Sequence, residues 1–189
     1  MIAGSGSAVG EGACASGRAV FLVGFMGAGK TSVGQALSRR LGWRFEDLDD
    51  RIVAQEGRSI ELIFRVAGEE AFRRAEHRAL RELMRNLGES AVIVALGGGA
   101  FAQAENRALV EEQRATTVFL DAAVEELLER CLEEGKVRPL LGGEGDFRRL
   151  YESRRASYLS ASLHIATGGK DVETVAEEVR QKLGLGLSL

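Results

Sequence analysis

The chain has 189 residues, of which 45% are hydrophobic and 28% charged, a composition typical of one soluble globular domain. Its formal net charge of −3 gives no reason to expect nucleic acid or an anionic membrane as a partner. No apolar run approaches the length of a membrane span, and two cysteines, Cys14 and Cys131, make no disulfide framework, so we expect a cytoplasmic location.

The first 17 residues are mainly glycine, alanine and serine, with Glu11 as their one charged side chain. They lack the cationic start and the apolar core of a signal peptide, and they offer little surface to bury. We therefore predict a flexible leader over residues 1–17 and a single domain over residues 18–189.

A phosphate-binding loop is predicted directly after the first strand. The apolar run 19–23 indicates a short buried strand, and residues 31–41 carry apolar side chains at helical spacing. Between them, residues 24–31 have the form G-x-x-x-x-G-K-[ST], whose backbone N–H groups cradle phosphate oxygens at the start of a helix. In such a loop Lys30 reaches the β- and γ-phosphates of a nucleotide, and the Thr31 hydroxyl can ligate Mg²⁺. The alternative is a glycine-rich turn that ends in Lys-Thr by chance.

Strands and helices alternate along the rest of the chain. Further strands are predicted at residues 43–47, 91–96, 116–120 and 163–166, and helices from 48 to a break at 57–59 and at about 60–67, 69–86, 106–113, 122–132, 147–158 and 172–183. This alternation predicts an α/β fold in which helices cover both faces of a parallel sheet. Ligands of such folds bind beyond the carboxyl ends of the strands, where the glycine loop lies.

Two further segments follow strands that end at this edge. Asp47 and Asp49 come at the end of the second strand, where one carboxylate could hold the water shell of Mg²⁺ and the other a hydroxyl of the acceptor. The alternative is that Asp49 or Asp50 serves as a helix N-cap. After the third strand, residues 97–99 are three glycines, which leave bare backbone against a ligand or form a flexible turn.

Arginines supply the remaining candidates for anion binding. Arg73 or Arg74 could form a bidentate pair with a substrate carboxylate, although arginines on a helix are more often solvated. Arg138 lies in a glycine-punctuated loop, and Arg154 and Arg155 follow it, so these side chains could close over a transferring phosphoryl group.

Taken together, these features resemble the shikimate kinase family of P-loop enzymes, over residues 19 to 183. The motifs that carry the resemblance are residues 24–31, 45–49, 63–64 with 68–69, 72–76, 96–99 and 137–141. The resemblance implies a five-stranded parallel sheet of order 2-3-1-4-5, an acceptor-binding region at about 48–76 and a lid at about 133–147. It also implies that ATP with Mg²⁺ phosphorylates the 3-hydroxyl of shikimate, in aromatic amino acid biosynthesis, and we expect the enzyme to act as a monomer.

Roles for individual residues are likewise implied by the resemblance. The implied catalytic residues are Lys30, Asp49 and Arg138. The implied nucleotide-binding residues are Gly27, Ala28, Gly29, Lys30, Thr31, Ser32, Arg130 and Arg138. The implied substrate-binding residues are Asp49, Arg73, Gly97, Gly98, Gly99 and Arg155, and the implied metal-binding residues are Thr31 and Asp47. A proline that the family usually has after its second clamp arginine is absent here, so Arg154 remains an alternative to Arg155.

Two other functions are compatible with a phosphate-binding loop. One is another small-molecule kinase of the same fold, such as a gluconate or nucleotide kinase, but the Asp47 and Asp49 pair with Arg73 argues against it. The other is a nucleotide-binding regulator without transfer activity. Such a protein is expected to have lost Lys30, Asp49 or Arg138, and all of these are present.

Overall fold

A five-stranded parallel sheet forms the centre of the fold in a computed structural model that describes residues 19–88, 90–133 and 143–186. The strands are β1 (Ala19–Val23), β2 (Arg44–Asp47), β3 (Val92–Ala95), β4 (Thr116–Asp121) and β5 (Leu163–Ala166). The helices of the described ranges are α1 (Lys30–Leu41), α2 (Leu48–Glu56), α3 (Ile60–Arg85), α4 (Ala104–Glu112), α5 (Val124–Glu133), α6 (Glu144–Tyr158) and α7 (Val172–Lys182). Each predicted strand is found, with ends that lie within one residue of the prediction.

The strand order is β2-β3-β1-β4-β5, which confirms the predicted fold and strand order. β1 is the central strand, and its Leu22 pairs in register with Ala95 of β3 and Val118 of β4. Successive residues of a strand point to opposite faces of the sheet, and consecutive residues of β1, β3 and β4 are buried. Both faces of the sheet centre are therefore covered, which explains why β1 and β3 are unbroken apolar runs in the sequence.

Two helix boundaries differ in detail from the sequence prediction. The N-cap of α2 is Asp47, whose Oδ1 accepts a hydrogen bond from the Asp49 backbone N–H at 2.9 Å. The alternative in which Asp49 or Asp50 caps this helix is therefore wrong. In α3 the predicted break at Gly68 is present as a kink within one helix, because Gly68 has a non-helical φ of 80° and ψ of 176°.

The carboxyl ends of the strands bring four segments to one edge of the sheet. The glycine loop follows β1, α2 follows β2 directly, Gly97 lies just beyond β3, and Asp121 is the last residue of β4. Because neighbouring strands are parallel, these segments meet at the same edge and can share one ligand site.

Two predicted regions lie outside the described residues. One is the leader, residues 1–17, and the other is residues 134–142, which include Arg138 and most of the predicted lid at 133–147. The assignment of residues 18–189 to a single domain therefore stays a prediction. In the ranges that are described, no helix has both the length and the apolar character needed to cross a membrane.

Candidate active site

The loop between β1 and α1 has the backbone of a phosphate cradle. Gly27 and Gly29 have φ of 79° and 81°, values that residues with a Cβ rarely adopt. A Cβ on Gly27 would also lie 2.7 Å from a backbone carbonyl oxygen of α5. The Lys30 ammonium donates to the carbonyl oxygens of Gly24 and Phe25 at 3.0 and 2.8 Å, which holds its charge over the loop. The shape of the loop requires its glycines, which argues against a chance turn.

Two oxygen ligands for a hard cation lie at the start of α1 and the end of β2. The Thr31 hydroxyl donates to Oδ2 of Asp47 at 2.7 Å, while the other oxygen of Asp47 caps α2. Within the described ranges, no group of three or more His, Cys, Asp or Glu side chains is placed to hold a metal ion. A cation at this pair would therefore take most of its ligands from phosphate oxygens and water, which is the usual arrangement for Mg²⁺.

The three glycines after β3 separate Asp49 and Arg73 from the phosphate loop. A Cβ on Gly97 would lie 2.6 Å from Oδ1 of Asp49, and one on Gly98 would lie 3.2 Å from the backbone nitrogen of Met26 in the loop. A Cβ on Gly99 would lie 2.4 Å from Nη1 of Arg73. The missing side chains thus make room for these contacts, and the segment forms a wall that the phosphate loop shares with Asp49 and Arg73.

Lys30, Asp49 and Gly98 line one cleft, together with Thr31 and Asp47. Asp49 therefore lies on the same side of the molecule as the phosphate loop. Arg73 adjoins this cleft through its contact with Gly99. The predicted site residues that fall in the described ranges are brought together, with the exception of Arg155.

We expect Gly99→Ala to raise the KM for the acceptor without unfolding the protein. Gly99 does not have a positive φ, so alanine fits its backbone, but the new methyl group would displace the Arg73 guanidinium. A displacement of about 1 Å can cost up to roughly a hundredfold in reactivity, so we expect a rise of about tenfold or more. Steady-state kinetics measures it, with Gly145→Ala in the exposed first turn of α6 as the control. An acceptor KM equal to that of the control would show that Arg73 is not placed by Gly99.

Arg73 is held by two glutamates of its own helix. Its Nη1 donates to Oε2 of Glu76 at 2.8 Å, and its Nη2 donates to Oε1 of Glu69 at 3.1 Å. Only 1% of the Glu76 side chain is exposed, and Gln103 donates a second hydrogen bond to Oε2 at 2.6 Å. Burial raises the pKa of the Glu76 carboxyl above its usual value, and the charge and hydrogen bond of Arg73 oppose that rise.

Of the two adjacent arginines of α6, Arg154 faces the glycine segment, whereas Arg155, which the resemblance favoured, pairs with Asp121. Nη1 of Arg154 points to the Gly98 carbonyl oxygen at 3.4 Å. Arg155 instead donates to Oδ1 of Asp121 at 3.0 Å and to the Tyr151 hydroxyl at 2.6 Å. One residue along a helix turns the side chain by about 100°, so neighbouring arginines reach different partners. Asp121 thus fixes Arg155 against the end of β4, while Arg154 faces the glycine wall.

Tyr158 is a site residue to which the sequence interpretation gave no role. Its ring is fully buried, and its hydroxyl donates to the same Gly98 carbonyl that Arg154 approaches. Burial raises the pKa of Tyr158 to about 12, so the hydroxyl keeps its proton and remains a donor at neutral pH. The spacing of Arg154 and Tyr158, four residues apart on α6, was the available signal that they share a helix face.

Glu76 is a second residue whose role the sequence interpretation did not assign. It belongs to the motif at residues 72–76, and it follows Arg73 by three residues on one helix, a spacing that favours an ion pair. The spacing alone did not indicate that the Glu76 side chain is buried.

Arg130 lies between the phosphate loop and the segment after β5. Its guanidinium pairs with Glu126 and points to the carbonyl oxygens of Gly27 and Thr167, each at 3.4 Å. This places it beside the phosphate cradle, on the α5 side, away from the acceptor residues of α2 and α3. The position suits a contact with the nucleoside part of a bound nucleotide.

The chain is similar to one family of proteins over most of its length. A family model described as shikimate kinase matches residues 26–184. The shikimate kinase of Persephonella marina is 39% identical over 163 residues, which cover 86% of this chain and 96% of that protein. That of Thermus thermophilus is 44% identical over 168 residues, covering 87% of this chain and 89% of that protein. The solved structure of shikimate kinase from Acinetobacter baumannii in complex with shikimate matches with a TM-score of 0.80 at 37% identity, covering 87% of this chain and 92% of that one.

Proposed function

Because this chain belongs to the shikimate kinase family, we propose that its cleft transfers the γ-phosphoryl group of ATP to the 3-hydroxyl of shikimate. The enzyme is a kinase of aromatic amino acid biosynthesis. The assignment of residues rests on the wall formed by the glycines at 97–99, which the donor and acceptor sides of the cleft share. This wall has the Lys30 loop on one side and Asp49 and Arg73 on the other.

On the donor side, the loop amides and Lys30 bind the phosphates of ATP. Lys30 would exchange its present carbonyl partners, Gly24 and Phe25, for β- and γ-phosphate oxygens. Arg130 would flank the nucleoside, and Arg138, outside the described residues, is proposed as the arginine of the lid. Phosphoryl transfer passes through a loose transition state, so these cations serve mainly to position the group and to stabilise its charge.

Thr31 and Asp47 fit a magnesium ion, because both present oxygen ligands at the edge of the phosphate cradle. When bound, Mg²⁺ neutralises charge on the transferring phosphoryl group. Asp47 keeps its other oxygen on the Asp49 backbone N–H, which fixes where the next carboxylate points.

On the acceptor side, Asp49 and two arginines select a hydroxylated acid. Asp49 would accept a hydrogen bond from the attacking hydroxyl and orient it toward the γ-phosphorus. Arg73 and Arg154 would bind the carboxylate of shikimate, with Gly98 against the ring. Paired guanidinium groups favour a planar anion over a neutral sugar.

Release of ADP that depends on shikimate, followed in a coupled assay, tests this function. The same assay with gluconate and with nucleoside monophosphates tests the other kinases of this fold. Mass spectrometry and phosphorus NMR of the product identify the 3-phosphate. Turnover with gluconate but without shikimate would overturn the assignment, and nucleotide binding without turnover would support a regulator.

We expect Asp47→Asn to weaken Mg²⁺ dependence while leaving the fold intact. Asparagine is as good an N-cap as aspartate, so α2 should keep its start, whereas the charge facing the cation is lost. We expect the Mg²⁺ concentration for half-maximal rate to rise by about tenfold, as one charged ligand contact disappears. Titration of the rate with Mg²⁺ measures it, and Asp50→Asn is the control. An unchanged Mg²⁺ requirement would remove Asp47 from the metal site.

The enzyme is also proposed to act as a monomer in the cytoplasm. The described residues given roles here come from one chain and line one cleft or adjoin it. Light scattering coupled to size-exclusion chromatography at assay concentration tests the monomer, and a mass of twice 20.3 kDa would contradict it.

A further inference from the structure

Gln103 occupies a helix N-cap without capping the helix. It precedes α4 in extended conformation, with φ of −84° and ψ of 127°, and its side chain makes no capping hydrogen bond. Serine, threonine, aspartate or asparagine at this position would satisfy a free backbone N–H of the first turn, and glutamine is not among the preferred residues. The chain therefore forgoes a favourable local interaction here, and such exceptions concentrate at functional sites.

The Gln103 amide is directed to the buried carboxylate that holds Arg73. Its Nε2 donates to Oε2 of Glu76 at 2.6 Å, and the same oxygen accepts from Nη1 of Arg73 at 2.8 Å. The other oxygen, Oε1, faces Gly97, where a Cβ would lie only 3.2 Å away. The carboxylate thus has donors on one side and the glycine wall on the other, which leaves it little freedom to turn.

We propose that Gln103 is a positioning residue for the acceptor, because it fixes the Glu76 carboxylate that in turn orients Arg73 toward the substrate carboxylate. The inference rests on the proposed role of Arg73. Gln103 and Glu76 are 27 residues apart, so this bond also ties the segment between β3 and α4 to α3. The Gln103 amide donates to the carboxylate that holds Arg73, so its loss should act on acceptor binding more than on the transfer step.

The electrostatics of Glu76 point the same way. Burial and the negative charge of Asp49 raise the pKa of its carboxyl, while Arg73 and the Gln103 hydrogen bond lower it. Arg154 and Tyr158 of α6 also face this carboxyl. Loss of the Gln103 amide would raise the pKa of Glu76 further. Glu76 would then become neutral at a higher pH than in the wild type, and in its neutral form it would hold Arg73 less well.

The test is the Gln103→Ser variant, with Gln103→Met as its partner. Serine removes the amide but supplies a capping hydroxyl, which should offset much of the stability lost with the bond to Glu76, so the Tm should stay close to the wild-type value. We expect the shikimate KM to rise about five- to thirtyfold in both variants, as for loss of a hydrogen bond to a charged group, while kcat and the ATP KM stay within about twofold. The acid limb of kcat/KM for shikimate should move to higher pH.

In Gln103→Ser, a raised shikimate KM at a Tm close to that of the wild type distinguishes positioning from a purely structural role. The proposal would be overturned if the shikimate KM stayed at the wild-type value in both variants, or if it rose only in proportion to a loss of Tm. A KM that rises only in Gln103→Met would also overturn it, since both variants lack the amide and its loss could then not be the cause. Failure of the proposed function itself would appear separately, as wild-type protein that releases no ADP with shikimate.

Discussion

Replacement of Lys30 by methionine should lower kcat by about a hundred- to a thousandfold, with a much smaller change in the KM for shikimate. Methionine keeps the length of the side chain but removes the ammonium, which now lies over the carbonyls of Gly24 and Phe25 at the mouth of the cradle. As the bond to ADP breaks, negative charge develops on the departing oxygen between the β- and γ-phosphates, so loss of a cation there falls mainly on kcat. Single-turnover and steady-state measurements of ADP release give both constants.

The control for this variant is Lys182→Met, which removes an ammonium that pairs with Glu178 on the outer helix α7. It should have wild-type kcat. A Lys30→Met enzyme with the kcat of this control would show that the loop is not where phosphoryl transfer takes place. Circular dichroism and the Tm of both variants establish that the fold is retained.

Arg154→Ala should raise the KM for shikimate by about ten- to 150-fold, whereas Arg155→Ala should leave it near the wild-type value. Arg154 lies against the Gly98 carbonyl and close to Arg73 and Glu76, so its truncation removes half of the proposed clamp. Arg155 is engaged by Asp121, in a pair whose side chains are 35% and 30% exposed. Pairs of that exposure contribute about 1 kcal/mol or less, so its loss should lower the Tm slightly.

The two variants differ by one position in the chain and remove the same side chain, so each is the control for the other. Initial rates at varied shikimate and saturating ATP give the two values of KM, and calorimetry gives shikimate binding directly. A larger rise in KM for Arg155→Ala than for Arg154→Ala would restore the assignment that the sequence favoured.

The position and backbone of the glycine loop could be predicted from the sequence because its determinants are local. The phosphate loop needs a strand, positive-φ glycines such as Gly27 and Gly29, and Lys30 at the start of a helix, all within 13 consecutive residues from Ala19 to Thr31. The prediction placed every strand to within one residue, and β1 and β3 were marked by unbroken apolar runs. The strand order, by contrast, came from the family resemblance, since periodicity does not say which strands are neighbours.

The acceptor half was harder to predict because its contacts join distant parts of the chain. Two adjacent arginines cannot be ranked by composition, since their partners depend on Asp121 at the end of β4 lying beside Tyr151 of α6. Gln103 has no motif of its own, and its bond to Glu76 spans 27 residues. The capping of α2 by Asp47 was missed for a related reason. Three aspartates within four residues can each serve as a cap, and only the backbone conformation decides.

Gly98 lies between the phosphate loop and the α6 residues of the acceptor side, so neither side can shift independently of the other. A Cβ on Gly98 would lie 3.2 Å from the Met26 nitrogen of the phosphate loop, while the Gly98 carbonyl oxygen accepts from Tyr158 and faces Arg154. A single peptide unit therefore transmits any adjustment on one side to the other. A variant that accepts a bulkier acid would need a cavity enlarged through α2, α3 or α6. Changes to the glycine wall would also disturb the binding of the triphosphate.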